Sequence, residues 1–226
     1  MKKFFLILVF SFIFLAFWDI TMTMAKTTMT LQTLKRAPIE YTIPPVITYS
    51  GDTLMIDAPH YGTGKHVFEY FRDYQCPGCN QFSRDYLPVI EQFARDGELQ
   101  LVYRQFPLED LHQNAYRDAL ASLCAHEQGV YQEYTRKIYA LESKKNWKPI
   151  SNGERLRIFR WMGNTQMFRN CLKDAKYDAR IVDDMNRGNG YDLDGIPFLI
   201  LDGKRIRLDS FSNVATFESL LNERLK

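Results

Sequence analysis

The chain has 226 residues, 46% of them hydrophobic and 25% charged, with 29 Lys and Arg against 27 Asp and Glu for a net charge of +2. A length and composition of this kind support one globular domain with an elaboration, and exclude collagen-like, low-complexity and wholly disordered chains. The balanced charge implies no nucleic acid or other polyanion as a partner, and four Cys are too few for a disulfide scaffold in so long a chain.

The first segment reads as an export signal. Lys2 and Lys3 precede an apolar run from Phe4 to Trp18, and Thr23 and Ala25 place small residues at the −3 and −1 positions of a cleavage site before Lys26. Residues 1–25 are therefore expected to be a signal peptide. The alternative is an uncleaved anchor, since the run can be extended across Asp19 to about 20 residues, enough to span a bilayer. Either way the remainder is expected in the periplasm or another extracytoplasmic space, in the second case tethered to the inner membrane by its N-terminus. An exported chain can keep disulfides.

Residues 26–52, with Pro38, Pro44 and Pro45, read as an irregular tether. Thr53 to Ile56 and His66 to Phe71 are expected strands, separated by a loop that holds Pro59, Gly62 and Gly64. The second strand runs into Cys76-Pro77-Gly78-Cys79. From Pro77 to Asp96 the apolar positions Phe82, Tyr86, Val89, Ile90 and Phe93 recur at helical spacing, Gly97 stops the run, and Pro88 predicts a kink. Cys76 is thereby placed at a helix N-terminus. Glu98 to Phe106 is a further strand, so that strand, helix and strand make a βαβ unit with parallel pairing. Leu111 to Asn186 is helical in pattern, broken by the polar stretch from Glu142 to Asn152. Then come a loop at Gly190 to Gly195, a buried strand at Pro197 to Leu201, a tight turn at Asp202-Gly203, a partner strand at Lys204 to Leu208 and a closing helix at Asn213 to Arg224. The sheet is expected to be mixed.

Two thiols separated by two residues at the mouth of a helix suit thiol-disulfide exchange, which needs one thiolate that attacks and a second thiol that resolves the mixed disulfide. Cys76 is the first and Cys79 the second. Helix N-terminal amides and the positive end of the dipole stabilise the Cys76 thiolate and are expected to lower its pKa into a range of roughly 3.5 to 7.5. The competing readings are an inert disulfide and half of a zinc site. Zinc needs two further ligands at suitable spacing, and the sequence has no second Cys-x-x-Cys or His-x-His cluster. No metal is therefore expected, and no cofactor beyond the redox-active disulfide itself. Cys124 and Cys171, both on expected helices, are read either as a second, structural disulfide or as two buried thiols. His112 is read as a capping or core histidine, because a resolving thiol would trap the nucleophile of a Cys-His hydrolase. Trp147 and Trp161 are read as packing residues.

Phe71-Arg72-Asp73-Tyr74-Gln75-Cys76-Pro77-Gly78-Cys79, the segment Phe106-Pro107-Leu108 followed by His112-Gln113-Asn114-Ala115, and Gly195-Ile196-Pro197-Phe198 before a hydrophobic strand together resemble the DsbA-like thiol-disulfide oxidoreductases. The resemblance implies an α/β thioredoxin fold, a mixed central sheet flanked by helices, with an inserted all-helical domain: residues 53–109 and 190–226 would form its two halves and 110–189 the insertion. It implies that Pro197 is cis beside the cysteine pair and that Ile196 and Pro197 bind substrate, where the residues alone also allow an ordinary trans Pro in a turn. Its functional implication is an exported protein disulfide oxidoreductase, expected as a monomer, that oxidises unfolded or newly exported proteins with cysteines and is served by a membrane redox partner. The alternatives are an isomerase or reductase of the same superfamily, or a non-catalytic periplasmic chaperone or assembly factor using the same groove. Two positions depart from the family's pattern. Gly78 stands where strongly oxidising members carry His, which predicts a milder oxidant, nearer the middle of the range of about −120 to −270 mV. Glu69 resembles the family's buried acid but lies one residue further from Cys76, so its side chain is expected on the other face of the sheet. For Glu69 the readings are proton acceptor for Cys79, edge charge or salt bridge.

Overall fold

Alternation along the second strand divides the molecule into two sides. The computed structural model describes residues 58–226; the expected signal peptide, tether and Thr53–Ile56 strand lie outside the described residues. Five strands, β1 (His60–Tyr61), β2 (His66–Arg72), β3 (Leu99–Gln105), β4 (Phe198–Leu201) and β5 (Lys204–Ile206), form one sheet in the order β1-β3-β2-β4-β5. β2 and β3 are parallel, His66 opposite Leu99 through Arg72 opposite Gln105, and the other pairings are antiparallel. Successive β2 side chains point to opposite faces. Phe68 and Tyr70 meet Phe82 of α1 (Pro77–Asp85), Ile90 and Phe93 of α2 (Leu87–Arg95), and Phe217 and Leu221 of α8 (Val214–Arg224). Phe71 turns the other way, against Phe106, Phe198 and Ile200.

The expected helix from Pro77 to Asp96 is two helices that part at Tyr86. Pro88 has no N–H to continue the ladder, and it sits instead in the first turn of α2, where that N–H would be unpaired anyway. The kink predicted at Pro88 is thus a break two residues earlier. At Gly64 a Cβ would lie 2.2 Å from the backbone between Glu98 and Leu99, so the chain entering β2 can pass the α2–β3 turn only as glycine.

Between β3 and β4 lie α3 (Ala115–His126), α4 (Tyr131–Lys144), α5 (Asn152–Phe159), α6 (Thr165–Lys173) and α7 (Asp178–Gly190). Their shared core includes Leu120, Leu123, Tyr134, Ile138, Phe159 and Phe168, with the last two rings stacked at 4.0 Å. Local signals set the starts: Ser151 and Glu154 close a capping box on α5, the Asn164 side chain caps α6, and Asn213 with Thr216 caps α8. The polar break is shorter than expected, since α4 runs on to Lys144, and α7 continues to Gly190, where a loop was expected to begin. The last strand stops at Ile206, short of Leu208, which opens a 3-10 turn. Trp161, read as core or surface packing, lies on the surface, 84% exposed with the Arg160 guanidinium 4.9 Å from its ring.

Candidate active site

β2 ends at Arg72, and four residues later Cys76 takes the N-cap position of α1, with Pro77 in its first turn. Cys79 is fully buried among residues of the insertion's core, while Cys76 is partly exposed, and both are free thiols. The Ile196–Pro197 peptide is cis, and the carbonyl of Ile196 lies 3.8 Å from Cys76 Sγ. A Cβ at Gly78 would meet Pro197 Cδ at 3.6 Å and Cys76 Sγ at 3.7 Å. Cys76, Gly78, Ile196 and Pro197 are therefore brought to one spot.

The two thiols are electrically unlike. The Cys79 thiol donates to the Cys76 sulfur, and this, with the backbone N–H groups of Cys79 and Gly78 that face the sulfur, outweighs partial burial and lowers the Cys76 pKa to about 6. Those are the amides that an N-cap oxygen would satisfy in an ordinary helix, so a thiolate at this position doubles as a diffuse cap. Burial raises the Cys79 pKa well above the ordinary thiol value, and the Cys76 sulfur adds to that. One sulfur is thus favoured as a thiolate at neutral pH and the other as a thiol.

Glu69 is on the far face of the sheet. Its carboxylate accepts from Arg104 Nε at 2.8 Å, Arg187 Nη2 at 3.0 Å and the Tyr191 hydroxyl at 3.0 Å. Burial works against its charge, but Arg187 and Arg104 prevail and hold the carboxyl below its usual range. Of the readings open for Glu69, the geometry supports the salt bridge; a proton acceptor for Cys79 would have to reach across the sheet. Cys124 and Cys171 are joined, tying α3 to α6 with Cα atoms 5.8 Å apart.

His112 is neither core nor cap. It lies in the turn before α3, and its Nδ1 is 2.8 Å from Asp73 Oδ2. Asp73 is itself buried and also accepts from the N–H groups of Gln75 at 2.7 Å and Leu108 at 2.9 Å, which pins the loop after β3 to the start of the cysteine segment. Gln75 repeats the device, its Oε1 accepting from Asn114 N at 2.7 Å. Asp73 and Gln75 stand in the sequence only as family markers, and His112 reads there as a cap or core residue. The available signal was polar residues spaced through two motifs that flank buried strands.

A second group missed in the sequence is Arg72. Its guanidinium is buried among the rings of Tyr70, Tyr74, Tyr103, Tyr131 and Tyr139, 4.8 to 5.9 Å from their centroids, and Nη2 donates to Tyr74 at 2.9 Å and Tyr131 at 2.5 Å. Cation–π attraction and hydroxyl acceptors replace a carboxylate partner. Tyr70 closes the set by donating to the Cys79 carbonyl at 3.0 Å, so α1 is anchored to β2 directly beneath the buried thiol.

The family model described as Thioredoxin matches residues 58–223. Among curated proteins, the Na(+)/H(+) antiporter NhaA 1 of Mycolicibacterium gilvum (strain PYR-GCK) is 29% identical over 138 residues, 61% of this chain and 22% of the relative. The chain thus spans about a fifth of the length of the curated relatives it matches. Among solved structures, oxidised BdbD from Bacillus subtilis superposes with a TM-score of 0.65 at 15% identity, covering 75% of this chain and 93% of BdbD. MdbA, a thiol-disulfide oxidoreductase from Actinomyces oris, gives 0.61 at 16% identity, covering 74% and 88%. With its sheet interrupted by five helices between β3 and β4, and its cysteine pair opening α1, the chain belongs to the thioredoxin family and has the DsbA-like architecture.

Proposed function

We propose that this chain is an exported thiol-disulfide oxidoreductase that introduces disulfide bonds into exported proteins through Cys76 and Cys79, without a cofactor beyond that pair. The observation that carries the reading is the asymmetry of the two thiols, an accessible Cys76 lowered to about 6 beside a buried Cys79 that is raised. A reduced form held as a thiolate is favoured over its disulfide, and that makes the disulfide a donor.

In the donor direction a client thiolate attacks Cys76 Sγ of the disulfide, and Cys79 leaves with the electron pair and takes up a proton. A second client thiolate then attacks the client sulfur of the mixed disulfide and expels Cys76 as a thiolate. Two electrons pass from the client to the pair, and the client gains one S–S bond. The Ile196 carbonyl and N–H edge next to Cys76 would align the client segment as an added strand. Clients would be unfolded or newly exported chains with cysteines, and a membrane redox partner would reoxidise Cys76 and Cys79.

The Cys124–Cys171 bond supports the compartment, because a structural disulfide persists in an oxidising space and is rare where thiols are kept reduced. The test is the reduction potential of the pair by equilibration with glutathione. A value above about −160 mV is expected of a donor; one near about −250 mV would sink the oxidase reading in favour of a reductase or isomerase.

A further inference from the structure

A charge of the wrong sign lies beneath the cysteine pair. Asp73, three residues before Cys76, is buried, and its carboxylate opposes ionisation of both Cys76 and Cys79. A buried carboxylate needs partners, and of the three donors at its oxygens, Gln75 N, Leu108 N and His112 Nδ1, only His112 can carry a charge. The His112 side chain is 21% exposed while that of Asp73 is 0%, so of the two only the imidazole touches solvent.

Of the other charged groups near Asp73, the buried Arg72 guanidinium donates to Tyr74 and Tyr131. From α3, Asp118 feels the Asp73 charge but is held by Arg155 of α5 at 2.7 Å. From α4, Tyr139 donates to the Asp73 carbonyl at 3.5 Å, and Glu142 faces Asp118 and Gln75. Glu109 and Asp110, in the loop that carries His112, are exposed.

We propose that His112 acts through Asp73 as a positioning residue for the exchange reaction: protonated, it neutralises the carboxylate beneath the cysteine pair and favours the Cys76 thiolate; neutral, it leaves that carboxylate to oppose it. The proposal rests on the thiol-disulfide exchange proposed above. It also accounts for Gly78. The counter-charge that a histidine between the cysteines would provide comes instead from the loop before α3, 36 positions along the chain from Cys76.

The test is a titration of the Cys76 thiolate in the reduced full chain, read by alkylation rate and by ultraviolet thiolate absorbance. His112→Gln keeps a donor to Asp73 but removes the charge, and it is expected to raise the midpoint by about half a unit, a roughly threefold fall in alkylation rate on the acid side of the midpoint. His112→Lys, which keeps a positive charge at all working pH values, is expected to leave the midpoint at or below that of the parent. Asp73→Asn is expected to lower it, and His112→Gln added to Asp73→Asn to shift it no further. Equal shifts from the Gln and Lys variants overturn the proposal, as does a His112→Gln shift that survives in the Asp73→Asn background. Should Asp73→Asn fail to fold, the contrast between Gln and Lys decides alone. The titration is independent of client oxidation. Absent coupling with client oxidation intact defeats the role of His112, whereas coupling with no exchange activity defeats only the reading of function.

Discussion

At Gly78 the site has room it does not use. An added Cβ meets Pro197 Cδ and Cys76 Sγ at 3.6 and 3.7 Å, ordinary van der Waals distances, and the residue is helical. Gly78→His is therefore expected to fold and to place a cation near the Cys76 sulfur. A positive charge at that range moves a thiol downward by about one unit or more, so the thiolate midpoint should fall below about 6 and the reduction potential should rise. A variant that titrates like the parent would show that the amides of Gly78 and Cys79 already saturate the effect. The exchange chemistry makes a second prediction at this scale: offered a client disulfide, Cys79→Ser should be trapped as the mixed disulfide, Cys76 attacking one client sulfur and the other leaving as a thiolate, visible as a reducible adduct by mass, while Cys76→Ser forms none. The Cys76 and Cys79 pair was legible in the sequence because its spacing is local, and the cis Pro197 only through the family resemblance. The partners of Asp73 were not, since His112 is distant in sequence and becomes adjacent only when the loop after β3 folds back over the cysteine segment.

Links between elements hold the insertion together. The Cys124–Cys171 bond closes a loop of 47 residues between α3 and α6, and a loop of that length contributes on the order of 4 kcal/mol by restricting the unfolded chain. The paired Cys124→Ala and Cys171→Ala variant should lose stability of about that size in urea unfolding, and an unchanged midpoint would place the burden on the surrounding rings instead. Between α3, α4 and α5 lies a second device with a pH signature. Burial pushes Glu142 up to about 8 and the charge of Asp118 adds to it, while burial pushes Asp118 up to about 6 against the pull of Arg155. Both carboxyls hold their protons in the folded chain at pH values where the unfolded chain has lost them. The folded state then binds more protons, so stability must fall as pH rises from about 4.5 towards about 8. Glu142→Gln should flatten that slope, measured as urea midpoints across the window; a slope unchanged by the substitution would assign it elsewhere. Helix periodicity made the insertion legible as helices, but not this pair, because Asp118 and Glu142 are brought together only by the packing of α3 against α4.

Across the whole molecule, the cysteine pair lies where the helical core of the insertion meets the helix face of the sheet, with Cys79 packed into the insertion and Tyr70 of β2 holding its carbonyl. The mixed sheet was legible in the chain order of elements, a βαβ unit followed by a hairpin; β1 was not, since His60–Tyr61 falls in the stretch read as a loop. The face to which each β2 side chain turns decided more: Glu69 went to the ion pairs of α7, and Arg72, on the opposite face, went to the tyrosines behind the active helix. The junction also couples redox state to global stability. In the oxidised chain Cys76 has no proton to lose. In the reduced chain its pKa is about 6 when folded, below the ordinary thiol value of 9.0. A depressed pKa adds stability that is complete above the unfolded value and is lost as pH falls through the folded one. The stability of the reduced form relative to the oxidised form should therefore grow as pH rises from about 6 to about 9. Thermal unfolding of both forms at the two ends of that window measures it directly. A reduced form that gains nothing on the oxidised one between the two pH values would mean that the folded chain does not hold Cys76 as a thiolate, and with that the physical basis for a disulfide donor would be gone.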